Sequence, residues 1–100
     1  MFPPKIKGFA VELINRTESG EFSWIYDDDN ANVQLQTDRF TVSLRYSFND
    51  IQEYGEFVLF YFDSIDQKEY RFYTNQTWDD YEVARRLYET AQSSGLSLPF

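Results

Sequence analysis

The chain has 100 residues, and its 9 Lys and Arg against 17 Asp and Glu give a net charge of −8 near neutral pH. It contains no Cys and no His. This composition excludes disulfides, Ser-His-Asp and Cys-His catalysis, and zinc sites with the usual nitrogen and sulfur ligands. The length fits a single domain over residues 1–100 with one hydrophobic core.

The charge and the apolar pattern also limit the expected partners and location. The acidic balance argues against nucleic acid, because binding it requires clustered Lys and Arg, and the only adjacent basic pair is Arg85 and Arg86. The longest apolar run, Phe57–Phe62, is far shorter than the roughly 20 residues that span a membrane. The first seven residues lack the apolar stretch of a secretory signal. We therefore expect a cytoplasmic protein without membrane contact.

Alternation of apolar and polar residues predicts an antiparallel sheet of about six strands over residues 5–74. The first three strands are predicted from three short patterns. Their alternating apolar residues are Phe9, Val11 and Leu13, then Phe22, Trp24 and Tyr26, and then Val33 and Leu35. The turn between the first two strands contains Gly20, which adopts positive φ without steric cost.

The next three strands are predicted on stronger patterns. In the fourth, Phe40–Phe48, five apolar residues alternate with four polar ones. The fifth, Phe57–Phe62, is apolar throughout, and the sixth contains Tyr70 and Phe72. The intervening segment Asn49–Gly55 fits either one helical turn or a wide loop, because its ends resemble a capping box and a C-terminal glycine cap.

Apolar spacings of three and four predict a C-terminal helix over about residues 78–93. Its apolar face consists of Trp78, Tyr81, Ala84, Leu87, Tyr88 and Ala91. Thr77 is the predicted N-cap, with Asp80 reaching back to it, and Gly95 ends the helix. Residues 94–100 form a tail that alternates again and is predicted to lie against the sheet or its edge. The predicted fold class is α+β, a strongly twisted sheet or half-barrel followed by one amphipathic helix packed on it.

The fifth predicted strand is apolar on both of its sides. One helix covers only part of one sheet face, whereas strands that are apolar throughout are usually buried on both faces. Closure of the sheet, a second copy of the chain, or a bound partner or ligand would cover the second face. Our first hypothesis is a non-enzymatic interaction protein. It would act as a homodimer or bind a protein partner through Val58, Phe60 and Phe62 on this aromatic-rich face.

A second hypothesis is a small-molecule-binding domain with an aromatic pocket between sheet and helix. The residues predicted to line it are Trp24, Tyr46, Tyr61 and Tyr81. Aromatic side chains of this kind form the walls of many ligand pockets.

A third hypothesis is an acidic inhibitor, an immunity-type protein or a nucleic-acid mimic. Its contact patch would contain Asp27, Asp28 and Asp29, together with Asp79 and Asp80. A surface dense in carboxylates accelerates association with a basic partner.

Two forms of chemistry compatible with the composition find little support in the residue pattern. Asp28, Asn30 and Asn32 match the first ligand positions of an EF-hand loop, but Val33 and Arg39 replace its glycine and its final glutamate. We interpret this segment as a polar hairpin loop. The carboxylates show no spacing that singles out an acid and a base. The sequence thus predicts no enzyme activity, no cofactor and no metal.

Overall fold

A computed structural model gives the structure of residues 1–96. The elements in chain order are α1 (Pro4–Glu18), β1 (Ile25–Asp27), β2 (Asn32–Gln36), β3 (Phe40–Asn49), β4 (Tyr54–Asp63), β5 (Lys68–Asn75) and α2 (Tyr81–Ser93). The fold class is α+β, as predicted, with five strands rather than six. The greater part of the predicted tail, residues 97–100, lies outside the described residues.

The five strands form one antiparallel sheet in the order β1-β2-β3-β4-β5. Each strand pairs with its neighbour along the chain, so hairpins make every connection within the sheet. In the centre, Phe57 of β4 lies between Tyr46 of β3 and Thr74 of β5. Over residues 1–96 the sheet stays open, with β1 and β5 at its edges, so closure of the sheet does not cover its second face.

The predicted first strand is wrong, because those residues belong to α1. Phe9, Val11 and Leu13 do alternate, but Val11 is 40% exposed on the outside of the helix. The buried positions of α1 follow the helical repeat; they are Ala10, Leu13, Ile14 and Thr17. Pro4 at the start was a further helical signal, because proline suits the first position of a helix.

The predicted second strand is reduced to the three residues of β1. Trp24 lies just before β1, and its side chain is buried near the C-terminal ends of the two helices. Its indole Nε1 donates to Thr17 Oγ1 at 2.9 Å, and its backbone N–H donates to Ser94 Oγ at 2.7 Å. Trp24 therefore joins the C-terminal ends of α1 and α2 instead of pairing in the sheet.

The ambiguous segment after β3 is a tight hairpin turn. The N–H of Glu53 donates to the carbonyl of Asn49 at 2.7 Å, and Glu53 has φ +59°. The β4–β5 hairpin repeats this geometry, since Gln67 donates to Asp63 at 2.8 Å and has φ +57°. The side-chain oxygens of Asn49 and Asp63 also accept backbone N–H groups within their own loops. Short polar side chains thus set both turns.

Both helices pack on the same face of the sheet, where the core lies. The buried apolar side chains of the sheet are Val33, Leu35, Val42, Leu44, Phe57 and Leu59. The helices contribute Ala10, Leu13, Ile14, Ala84, Leu87 and Ala91. Two helices therefore cover this face instead of the one predicted. Among residues 1–96 no helix is long and apolar enough to cross a membrane.

The predicted cap of the C-terminal helix is wrong. Helix α2 begins at Tyr81, and the Asp80 side chain makes no capping bond to the helix. Instead, its carboxylate accepts the backbone N–H of Phe2 at 2.6 Å and the hydroxyl of Thr74. Thr77 donates its N–H to the side chain of Asn75. Asp80 thus connects the N-terminal residues, β5 and the start of α2.

Alanine substitution at Gly55 and at Gly8 should change the free energy of unfolding in opposite directions. A Cβ on Gly55 would lie 2.8 Å from the Tyr81 hydroxyl and 2.9 Å from the Tyr46 ring, whereas one on Gly8 would meet nothing within 4 Å. We expect Gly55→Ala to lower the free energy of unfolding by about 1–2 kcal/mol through overpacking. Gly8→Ala, on the exposed side of α1, should raise it by about 0.5–1 kcal/mol. Urea unfolding of both variants measures the difference, and equal effects would contradict it.

Candidate functional site

The sheet face opposite the helices, here called the open face, carries the predicted interface residues. Val58, Phe60 and Phe62 of β4 all point to this side and are half-buried. Phe60 and Phe62, with neighbours on β2, β3 and β5, border a shallow depression of about 480 Å³. Its lining residues are Asn32, Gln34, Thr41, Ser43, Arg45, Phe60, Phe62 and Glu69. Within residues 1–96 neither helix covers this face.

The open face combines the apolar row of β4 with polar side chains. Polar side chains of the neighbouring strands flank the apolar row; in the register, Phe60 lies between Ser43 and Arg71. The Arg71 guanidinium lies 5.0 Å from the centre of the Phe60 ring, a cation–π distance. These neighbours account for the half-burial of the row. The face therefore has an apolar centre and polar flanks. The register of the paired strands determines which polar side chains lie beside the apolar row.

The open face is almost neutral, unlike the chain as a whole. Its charged side chains are Asp27, Arg45, Glu56, Glu69 and Arg71. Two cations and three carboxylates leave a net charge of −1 here, whereas the whole chain carries −8. The remaining −7 is therefore located elsewhere. Repulsion between two copies would be weakest across this face.

A hydrogen-bonded pair, Tyr73 and Glu56, lies at one end of the open face. The Tyr73 hydroxyl donates to the Glu56 carboxylate, and the Trp78 ring meets the Tyr73 ring edge-on at 5.8 Å. Burial and this hydrogen bond raise the pKa of Tyr73 to about 12. Tyr73 is therefore neutral at physiological pH, and its hydroxyl is already committed to Glu56.

The structure separates the four residues of the predicted pocket. Trp24 is a core residue, and Tyr61 lies near the start of α1, with its ring 5.4 Å from Phe9 and 5.8 Å from Phe40. The four side chains therefore do not line one cavity. Tyr46 and Tyr81 do lie together.

A second depression, here called the tyrosine pocket, lies between the sheet and α2 and has a volume of about 310 Å³. Its floor is the buried ring of Phe57. The rings of Tyr46, Tyr81 and Tyr88 surround that floor with centre-to-centre distances of 5.2, 5.3 and 5.5 Å. Its rim consists of Arg85, Glu89 and Gln92.

The sequence pointed to Tyr46 and Tyr81 but missed Tyr88 as a pocket residue. Tyr81 and Tyr88 are seven residues apart on α2, and two helical turns bring both to one side of the helix. That spacing was the available signal. Burial raises the pKa of Tyr81 and of Tyr88 above the ordinary tyrosine value.

The predicted acidic patch lies at the end of β1 and in the exposed loop that joins β1 to β2. Asp27–Asp29 are all exposed, but two of their carboxylates bind within the loop region. The Asn30 amide donates to Asp27 at 2.7 Å and lowers the pKa of this carboxylate. The Tyr26 hydroxyl donates to Asp28 at 2.8 Å, which raises the pKa of Tyr26 to about 12.

Asp80 cannot belong to such a contact patch, because it is only 3% exposed, although its neighbour Asp79 is exposed. In the part of the chain that the structure describes, no three acidic side chains come close enough together to hold a metal ion.

Comparison of the chain with models of protein families, with curated proteins and with solved structures gave no match. Function is therefore inferred from the geometry of the open face and of the tyrosine pocket.

Proposed function

We propose that this protein is a non-enzymatic interaction protein that forms a homodimer through the open face of its sheet. The observation that carries this proposal is the placement of both helices on one face. In the described structure this placement leaves the row of Val58, Phe60 and Phe62 at the centre of the other face.

The chemistry of the open face fits a protein interface. Interfaces typically place apolar and aromatic groups at the centre and polar groups at the rim, where they exclude water from the centre. The apolar row occupies the middle of this face, while Gln34, Ser43 and Glu69 lie on the flanking strands.

Charge and area favour a second copy as the partner. A net charge of −1 on this face allows two copies of an otherwise acidic chain to approach each other there. Strand spacing and rise give the face a projected area of about 600 Å². This is close to the roughly 800 Å² per partner that standard interfaces bury.

The oligomeric state of a charge-bearing variant tests the proposal. We expect the wild-type protein to sediment as a dimer at tens of micromolar, and Phe60→Glu to sediment as a monomer. A carboxylate at the interface centre should raise the dissociation constant at least about 100-fold, as is typical of central hot spots. Analytical ultracentrifugation over a concentration series measures this change.

Two further variants separate dimerisation from folding. Ser43→Glu places a charge beside Phe60 without altering an apolar side chain, and it should also give a monomer. Ile51→Glu adds the same charge in the β3–β4 turn, where Ile51 is 90% exposed, and should remain dimeric. A wild-type monomer at these concentrations, or a Phe60→Glu dimer with native circular dichroism, would refute the proposal.

A further inference from the structure

We propose that the tyrosine pocket binds a small organic cation of the quaternary ammonium class, such as choline. This inference is independent of the homodimer, because the pocket lies on the helix-covered side of the sheet and shares no residue with the open face. Its volume of about 310 Å³ accommodates a group of that size.

The pocket walls supply the surfaces that recognise such a cation. The rings of Tyr46, Tyr81 and Tyr88 are tilted by 59°, 45° and 50° to the plane of Phe57, so they enclose its ring instead of stacking flat on it. Aromatic faces attract a cation through their quadrupole, and several rings around one site are the usual receptor for quaternary ammonium groups.

The local charge agrees with a cationic ligand. Glu89 lies on the rim of the pocket, and Asp28 accepts a hydrogen bond from Tyr26, whose ring lies 6.3 Å from that of Tyr88. Two carboxylates, Glu89 and Asp28, therefore lie near the pocket, together with one cation, Arg85. The net charge of −8 on the whole chain also favours a cationic ligand over an anionic one.

Arg85 does not occupy the proposed site. Its guanidinium is held by Glu82 at 2.7 Å and by Glu89 at 2.8 Å, on the surface of α2. Among the described residues the cation–π contact is that of Arg71 with Phe60, so none of the tyrosine rings in the pocket already carries the chain's own cation. The rings are therefore available to an external one.

Gly55 determines how the pocket is built. The hydroxyls of Tyr46 and Tyr81 both lie within 3 Å of the place that a Cβ on Gly55 would take. The two rings therefore converge above the backbone of β4, which brings a ring from the sheet next to a ring from α2. A side chain at position 55 would push these walls apart.

Comparison of choline with an uncharged ligand of the same shape tests whether the positive charge of choline is needed for binding to the tyrosine pocket. In NMR titrations that follow the tyrosine ring signals, choline should bind with a dissociation constant on the order of 1 mM. Its uncharged isostere 3,3-dimethyl-1-butanol should bind about tenfold more weakly, because it has the same shape but no cation–π attraction. Phosphocholine distinguishes a lipid headgroup from free choline, and its phosphate should weaken binding beside Glu89.

Matched variants locate the binding site. Tyr88→Leu keeps apolar bulk but removes an aromatic face, and it should weaken choline binding about fivefold or more. Tyr70→Leu changes a half-exposed tyrosine outside the pocket and should leave binding unchanged. Glu89→Gln leaves the rings in place and should weaken choline binding about twofold.

The proposal is wrong if choline produces no saturable shift of these signals in the folded protein. It is equally wrong if the uncharged isostere binds as well as choline, or if Tyr70→Leu weakens binding as much as Tyr88→Leu does.

Discussion

Replacement of Phe57 by alanine is expected to lower the free energy of unfolding by about 4 kcal/mol, the middle of the range for removing a buried aromatic ring. Phe57 is 2% exposed, and it contacts the rings of Tyr46, Tyr81 and Tyr88. Its removal leaves a cavity bordered by three large rings attached to two different elements. These rings cannot collapse into the space without moving α2 against the sheet.

The matched control for Phe57→Ala is Phe48→Ala, which removes the same atoms from a side chain that is 53% exposed. This change should cost about 1 kcal/mol or less, because much less apolar surface returns to water. Urea denaturation of both variants gives the comparison. Equal losses would mean that Phe57 does not organise the contact between sheet and helix. If Phe57→Ala fails to fold, Phe57→Leu provides a milder measurement in the same direction.

The second large effect is expected for Asp80→Ala, which should destabilise the fold by about 3 kcal/mol. The substitution removes the acceptor for the Phe2 N–H and for the Thr74 hydroxyl, and hydrogen bonds to a carboxylate are worth about 1.5–3 kcal/mol. Every buried side-chain nitrogen or oxygen within residues 1–96 has a hydrogen-bond partner. The variant therefore leaves two buried donors, the Phe2 N–H and the Thr74 hydroxyl, without their acceptor.

Asp79→Ala is the control, since Asp79 precedes Asp80 in the chain but is exposed. It should cost about 0.5 kcal/mol, the small contribution of an acidic group near a helix N-terminus. Thr74→Val combined with Asp80→Ala then measures their coupling in a double-mutant cycle. A loss on Asp80→Ala no larger than that on Asp79→Ala would refute a structural role for this buried carboxylate.

The strands β2 to β5 were predictable because each of their faces has one consistent environment. In β3, Val42 and Leu44 point to the core while Thr41 and Ser43 point to the open face, so alternation alone identifies the strand. Helix α2 was predictable for the corresponding reason, with apolar residues repeating every three or four positions. Its starting residue was not, because the contact of Asp80 with Thr74 overrides the local capping preference.

Helix α1 was missed because the apolar residues of this segment are compatible both with the two-residue alternation of a strand and with the repeat of a helix. Phe9, Val11 and Leu13 alternate as in a strand, and only the exposure of Val11 in the folded chain shows that the helical repeat is the correct one. A short pattern cannot distinguish these two periods when the partner surface is unknown. In the structure that partner is α2, against which α1 packs.

The sequence alone determined the α+β class, the absence of His and Cys chemistry, and the two-sided apolar character of β4. These properties depend on residue types and on their spacing along one segment. The tertiary structure alone decided that both helices cover one face, that Tyr46 and Tyr88 both pack against Phe57, and that Asp80 is buried. Each of these depends on strand register and helix placement, which join residues far apart in the chain through contacts that no local pattern encodes.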